Sequence, residues 1–235
     1  MIRMIRKWLV NSFPSLGKHK RFFVALRDVL LPVKNTYSQH GEDVFILETL
    51  KQHNLKDSIY VDVGANHPTD ISNTYLLYRN GLKGLIIEPN PELISLFFRF
   101  RTRDIALPIG CSNSASLSKF NISKTPVVSS FLSARDDNFY KSIFVPVLPV
   151  DMALKSIERS FISLLSIDVE GLNLEVLKGA ASTLQNTLLL CVEYDNDAEK
   201  DSFAKFLRED FLLIKEFGCN LFFINKNLSK SYLVK

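Results

Sequence analysis

The sequence predicts an α/β fold: a mostly parallel, seven-stranded sheet with helices on both faces, finished by a C-terminal antiparallel hairpin. Three observations predict it. After Lys34, short apolar runs alternate with amphipathic segments. The first run, in "YVDVGANHPTD", stops abruptly at a glycine loop, and the last two, "FLLIKEF" and "NLFFIN", are separated by two residues. Parallel strands need a crossover long enough to hold a helix, whereas so short a connection joins only antiparallel neighbours.

The strands expected in chain order are "SIYVDV" (58–63), "GLIIEP" (84–89), "DIALPIG" (104–110), "FISLLSIDV" (161–169), "TLLLCVEY" (187–194), "FLLIKEF" (211–217) and "NLFFIN" (220–225). Each is a short apolar run bounded by turn formers, as buried strands are. The helices fall between them. "SNTYLLYRNG" has Ser72 to cap its start and Gly81 to stop it, and "NPELISLFFRF" has Pro91 in its first turn. "NLEVLKGAASTL" and "DAEKDSFAKFLRED" supply two more crossovers. Between Cys111 and Asp151 the rhythm lapses: "ASLSKFNIS" and "SIFVPVLPV" read as strands flanking the loop "KTPVVSSFLSARDD". Such an insertion serves either as a substrate lid beside the strand ends or as a plain surface hairpin.

With 46% hydrophobic and 23% charged residues in 235, the composition is that of a globular protein, read as one domain with an extension. No apolar run approaches the roughly 20 residues that span a bilayer, and "WLV" is too short for the core of a signal peptide. Cys111, Cys191 and Cys219 form no CxxC or Cys/His pair, so they read as buried packing residues of a reduced, cytoplasmic protein.

Charge divides the chain. Residues 1–34 hold eight Lys or Arg against Asp28 alone, a net +7 in a chain that is +4 overall, which leaves −3 for residues 35–235. We read 1–34 as a basic N-terminal helical extension and 35–235 as the domain that carries the chemistry. Ile2, Ile5, Trp8, Leu9 and Phe13 have helical spacing, so residues 1–30 suit peripheral contact with an anionic membrane; the simpler reading is a helix packed on the body with its charges solvated. No helix-turn-helix, zinc-finger or RNP-like pattern accompanies the charge, and nucleic acid is not expected as a partner.

The glycine loop is the first chemical signal. Ligands of open α/β sheets settle beyond the carboxyl ends of the strands. Gly64 lets the backbone turn and approach a ligand, and Ala65 and Asn66 keep the loop small. Glu88 ends the next strand, where an acid can accept hydrogen bonds from both ribose hydroxyls of an adenosine. A dinucleotide also needs G-x-G-x-x-G for its pyrophosphate, and the residues after Gly64 are Ala65, Asn66, His67 and Pro68. S-adenosylmethionine has no phosphate, which favours it over a nicotinamide cofactor.

The ordered set "YVDVGANHPTDISNTYLLYRNGLKGLIIEPNPEL", "SIDVEGLNLEVLKGA" and "CVEYDN" resembles the FkbM family of S-adenosylmethionine-dependent methyltransferases, and "YSQHGEDVFI" is similar to the segment that often precedes that domain. The resemblance covers about Tyr37 to Asn225. It implies the class I methyltransferase fold and O-methylation of a hydroxyl on a sugar, polysaccharide or natural product, hence a small-molecule or glycan acceptor. By match to the motif, Asp62, Gly64, Ala65 and Asn66 line the methionine side of the cofactor and Glu88 its ribose.

Methyl transfer needs an oxygen held in line with the methyl carbon and a way to remove its proton. Asp168 and Glu170 stand two apart at the end of the fourth strand, where an extended chain points both carboxylates to one side. Glu193, at the end of the fifth strand, joins them as a candidate. Three such oxygens could hold Mg²⁺, although a metal-free general base is the favoured reading. His40 and Glu42 are further candidates for closing the pocket, or plain helix-start residues, and His67 reads as a loop histidine. The competing hypothesis is a noncatalytic module of the same fold that docks on membrane or nucleic acid.

Overall fold

The computed structural model describes residues 14–53, 58–123, 129–132, 139–155, 157 and 161–232. The apolar positions Ile2, Ile5, Trp8, Leu9 and Phe13 and most of the loop 124–137 lie outside the described residues.

The elements run α1 (Pro14–Leu30), α2 (Glu42–Lys51), β1 (Ile59–Val63), α3 (Tyr75–Arg79), β2 (Gly84–Ile87), α4 (Pro91–Phe100), β3 (Ile105–Leu107), β4 (Gly110–Cys111), β5 (Ser116–Ser123), β6 (Phe139–Leu148), α5 (Val150–Leu154), β7 (Ile162–Ile167), α6 (Asn173–Lys178), α7 (Ala181–Gln185), β8 (Thr187–Glu193), α8 (Asp197–Leu207), β9 (Phe211–Phe217), β10 (Asn220–Asn225) and α9 (Lys226–Tyr232). Seven strands form one sheet in the order β3-β2-β1-β7-β8-β10-β9. Only β10 runs against its neighbours, pairing antiparallel with β8 and β9, as the two-residue turn at Gly218 and Cys219 requires. Strand order reverses between β1 and β7, which opens a crevice at their carboxyl ends.

The central strands β1, β2, β7 and β8 are buried on both faces, which is why they are mostly apolar rather than alternating, whereas the edge strand β9 is largely exposed. Val61, Val63, Ile87 and Leu190 pack toward Val150, Val176 and Phe203 of α5, α6 and α8. Tyr60, Ile86, Leu164 and Phe222 pack toward Ile46, Leu77 and Phe97 of α2, α3 and α4. Capping fixes the helix starts near the site. Asn90 Oδ1 caps α4, accepting the Glu92 N–H ahead of Pro91; at α3 the N-cap is Thr74 rather than the expected Ser72, whose Oγ accepts the Tyr75 N–H from two residues before the cap.

Two expected elements are divided. The run 104–110 splits at Pro108, which has no N–H for a ladder: β3 stays on the main sheet and β4 joins a second sheet of order β4-β6-β5. The segment 173–184 is two short helices that part at Gly179, a poor helix former, where a β-carbon would stand 2.1 Å from the Ser112 carbonyl oxygen. The Asp151 carboxylate then caps the second helix, accepting from the N–H groups of Ser182 (2.9 Å) and Thr183 (2.7 Å).

Helix α1 lies against α4, with Phe22 and Phe100 ring centroids 5.2 Å apart and Ala25 fully buried. The Asp28 carboxylate is buried beneath the helix, where it takes the Thr69 hydroxyl (3.2 Å) and Lys34 Nζ (2.6 Å). Among the described residues, no helix is long and apolar enough to cross a membrane.

Candidate active site

The carboxyl ends of β1, β2, β7 and β8 converge on the crevice. Gly64 follows β1 with φ +80°, its N–H donating to the Ile87 carbonyl (2.9 Å). A β-carbon here would stand 1.7 Å from the carbonyl oxygen of Asp168. The backbone following β7 thus requires a glycine here, and Gly64 also lines the crevice. Asn66, at φ +52°, turns its N–H onto Glu88 Oε2 (2.8 Å), while Asn90 N–H reaches Oε1 (2.7 Å). Glu88 is buried, and burial pushes its carboxyl up to about 7 against the pull of these two donors.

Two cavities meet at this loop. The first has Glu88 at its polar side and Ile109, Cys111, Phe120 and Phe131 among its walls. Burial pushes the Cys111 thiol up to about 12, which leaves it a packing residue. The second is lined by Gln39, Asp62, Ala65, Asn73 and Glu193 among others. Gly64, Asn66, Asp168 and Glu170 line both. No lysine or arginine lines either cavity among the described residues.

Asp62 is the inner end of a buried chain of hydrogen bonds. Thr74 donates its hydroxyl to Asp62 (2.6 Å), Arg101 Nη1 donates to Thr74 Oγ1 (3.0 Å), and Arg101 also holds Asp104 (2.7 Å) and the Tyr60 hydroxyl (2.8 Å). Burial raises the Asp62 carboxyl above its ordinary range. Thr74 and Arg101 were not singled out from sequence: each lies in an ordinary amphipathic segment, and only folding brings them to β1.

Asp168, Glu170 and Glu193 come together, each with a carboxylate oxygen within 4.8 Å of the others. Their convergence does not come from an extended chain. β7 ends at Ile167, and Glu170 (φ +54°) and Gly171 (φ +96°) form a turn that brings its carboxylate back. Asn173 ties this turn to β8, its Oδ1 accepting the Val169 N–H (2.9 Å) and its Nδ2 donating to the Glu193 carbonyl (3.0 Å). Burial, and next the charge of Glu193, hold the Asp168 carboxyl well above the usual carboxylate range. His40 and Glu42 instead pair with each other at the start of α2, where Glu42 also takes Asn220 Nδ2 (3.3 Å).

The sequence profile of the methyltransferase FkbM domain matches residues 62–218, a span that contains every acid of the crevice. The chain belongs to the FkbM methyltransferase family. No curated protein matches it. Solved structures of similar fold include the METTL16 MTase domain (8% identity, TM-score 0.46, 78% of this chain and 65% of that one). Others are the human methyltransferase 10 domain containing protein (8%, 0.43, 83% and 82%) and the N-terminal domain of human METTL16 in complex with SAH (10%, 0.43, 83% and 73%). This chain spans just under two thirds of the first of these.

As an FkbM methyltransferase the protein uses S-adenosylmethionine, and the crevice fits that molecule. A lining that is acidic, and without lysine or arginine among the described residues, suits the sulfonium and ammonium of that molecule better than a pyrophosphate. The apolar walls by Ile109 and Phe131 suit an adenine ring.

Proposed function

We propose that this FkbM methyltransferase O-methylates a hydroxyl of a sugar, polysaccharide or natural product. The observation that carries the reading is the charge of the crevice: Asp62, Glu88, Asp168, Glu170 and Glu193 converge on two adjoining cavities whose described lining holds no lysine or arginine. Bound S-adenosylmethionine supplies an electrophilic methyl group on a positively charged sulfur. In this reading Glu88 accepts the ribose hydroxyls on its remaining lone pairs, and Asp62, Gly64, Ala65 and Asn66 line the methionine side.

Asp168, Glu170 and Glu193 are the acid–base groups. A hydroxyl is a poor nucleophile until its proton has somewhere to go, and a carboxylate beside the acceptor oxygen takes that proton as the oxygen–carbon bond forms and the carbon–sulfur bond breaks, leaving neutral S-adenosylhomocysteine. Burial, and next the charge of Glu193, raise the Asp168 carboxyl, and one member of the trio acts as base. Gln39, Ser72 and Asn73 offer neutral hydrogen-bonding groups of the kind that hold sugar hydroxyls. The same three acids could hold Mg²⁺, which takes carboxylate oxygens; we favour a metal-free general base, and a chelator separates the two readings.

We place the protein in the cytoplasm, with residues 1–30 in peripheral contact with anionic lipid. Support comes from the outward side of α1, where Phe23 (62% exposed) and Leu30 (73% exposed) accompany exposed Lys20 and Arg27. The test of function is titration of the protein with S-adenosylhomocysteine, followed by mass spectrometry of glycans from cells with and without the gene. Loss of one methyl group from a defined glycan identifies the acceptor. An unchanged glycan and small-molecule profile would overturn the reading.

A further inference from the structure

We propose that helix α1, which lies outside the matched span 62–218, is a working part of the cofactor site, and that His67 is the positioning residue through which it acts. The proposal rests on the reading that the loop after Gly64 lines the cofactor.

That loop leaves β1 at Gly64 and runs to α3, and it has little regular structure to hold it. Asn66 and Ile71 both sit at φ +52°, a region that side chains rarely favour and that persists only where the surroundings impose it. Asn66 and Ile71 also line the second cavity, so the loop must keep this shape for the cavity to exist.

His67 supplies the constraint. Its ring is buried, and Nδ1 accepts the backbone N–H of Asp70 (3.0 Å) and of Thr69 (3.3 Å). A nitrogen that accepts carries no proton, so the proton is on Nε2, which donates to the carbonyl of Arg21 on α1 (3.1 Å). One neutral imidazole thus folds the loop on itself and ties it to the helix. Burial lowers the His67 pKa, which keeps the ring in this neutral form. The groups around it are Arg21 and Asp28 of α1 and Asp70 of its own loop.

A second tie stands two residues on. The Thr69 hydroxyl is fully buried and donates to Asp28 Oδ2 (3.2 Å), and Arg79 of α3 donates to the Asp28 carbonyl. Helix α1 therefore grips the loop at His67 and Thr69 and grips α3 beyond it. Without the grip, the loop would sample other shapes, and cofactor affinity would fall by the fraction of time spent in them.

Substitutions at His67 separate the two halves of its role. Gln places an amide nitrogen near the position of Nε2 and can keep the bond to Arg21, whereas Asn mimics Nδ1 and cannot reach the helix. The probe is S-adenosylhomocysteine, titrated calorimetrically into the full chain, with melting temperature measured alongside. We expect His67→Asn and Thr69→Val to weaken binding about 3- to 10-fold and His67→Gln to stay within about twofold of the wild type. Equal affinity in all four proteins, whatever the melting temperatures, overturns the role of α1. Loss in Gln as large as in Asn also overturns it, because the grip on the helix would then not be what matters. A wild-type chain that does not bind the probe overturns the cofactor reading itself, and this inference with it.

Discussion

The carbonyl oxygen of Asp168 occupies the space where a side chain on Gly64 would begin, 1.7 Å from the position of a β-carbon. The two residues end neighbouring parallel strands, β1 and β7, and the Asp168 N–H donates to the Val63 carbonyl (2.9 Å) just before the glycine. The cofactor loop and the acid turn are therefore packed backbone to backbone, and a change to one is felt by the other.

Gly64→Ala tests that packing. The new methyl would both collide with backbone and hold a side chain at φ +80°, each a cost of about 1–3 kcal/mol. We expect a loss of about 2–6 kcal/mol in a denaturant melt, together with loss of S-adenosylhomocysteine binding. A variant as stable as the wild type would show that the strand ends are free to move apart.

Glu88 should make cofactor binding depend on pH. Its folded carboxyl is raised to about 7, and ribose hydroxyls donate best to its ionised form. Binding therefore favours release of a proton, and affinity should rise between about pH 6 and 8. Titrations in buffers of different ionisation enthalpy would report the released proton. Glu88→Ala removes a charged acceptor worth roughly 1.5–3 kcal/mol per hydrogen bond and should abolish the pH dependence.

The same shift has the opposite sign for stability. A carboxyl whose folded value lies above its ordinary 4.5 favours the native state while protonated, so stability is complete below about 4.5 and falls as pH rises to about 7. The fall is on the order of 3 kcal/mol for a shift of this size. In Glu88→Gln, which stays neutral, urea melts across this window should lose that part of the slope.

The acid turn separates base from metal. If a carboxylate is the base, a chelator leaves methyl transfer to the identified acceptor unchanged, and replacing that acid by its amide lowers turnover by roughly 10²–10⁴ with little change in cofactor affinity. If the three acids hold a divalent cation instead, the chelator stops turnover and Mg²⁺ restores it. Full activity in the Asp168→Asn, Glu170→Gln double variant would remove both roles.

The basic front end has its own test. Deleting residues 1–13 spares the contacts of α1 with the loop and with α4, so the protein should fold and bind S-adenosylhomocysteine normally. Binding to vesicles rich in anionic lipid at low salt should weaken, because Arg3, Arg6 and Lys7 are removed while Lys20 and Arg27 of α1 remain. Deleting residues 1–30 should instead destabilise the fold, since it removes Ala25 and the buried Asp28.

By itself, the sequence determined the alternation of strand and helix, the hairpin that closes the sheet, the position of the glycine loop and the identity of the acids. These are written locally, in apolar runs of strand length, in a two-residue turn and in residue types that suit a strand end. Tertiary structure decided the rest. Pro108 sent half of an expected strand to a second sheet, and the close approach of Ser112 requires a glycine at 179, where an expected helix parts in two. The turn at Glu170 brought together acids that an extended chain was expected to align. Arg101 reached Asp62 through Thr74, 27 residues away, and His67 found its partner 46 residues upstream in a helix read as an appendage. Such pairings carry no local signature, because they exist only after burial removes water as the competing partner and makes a satisfied polar group worth more than a solvated one.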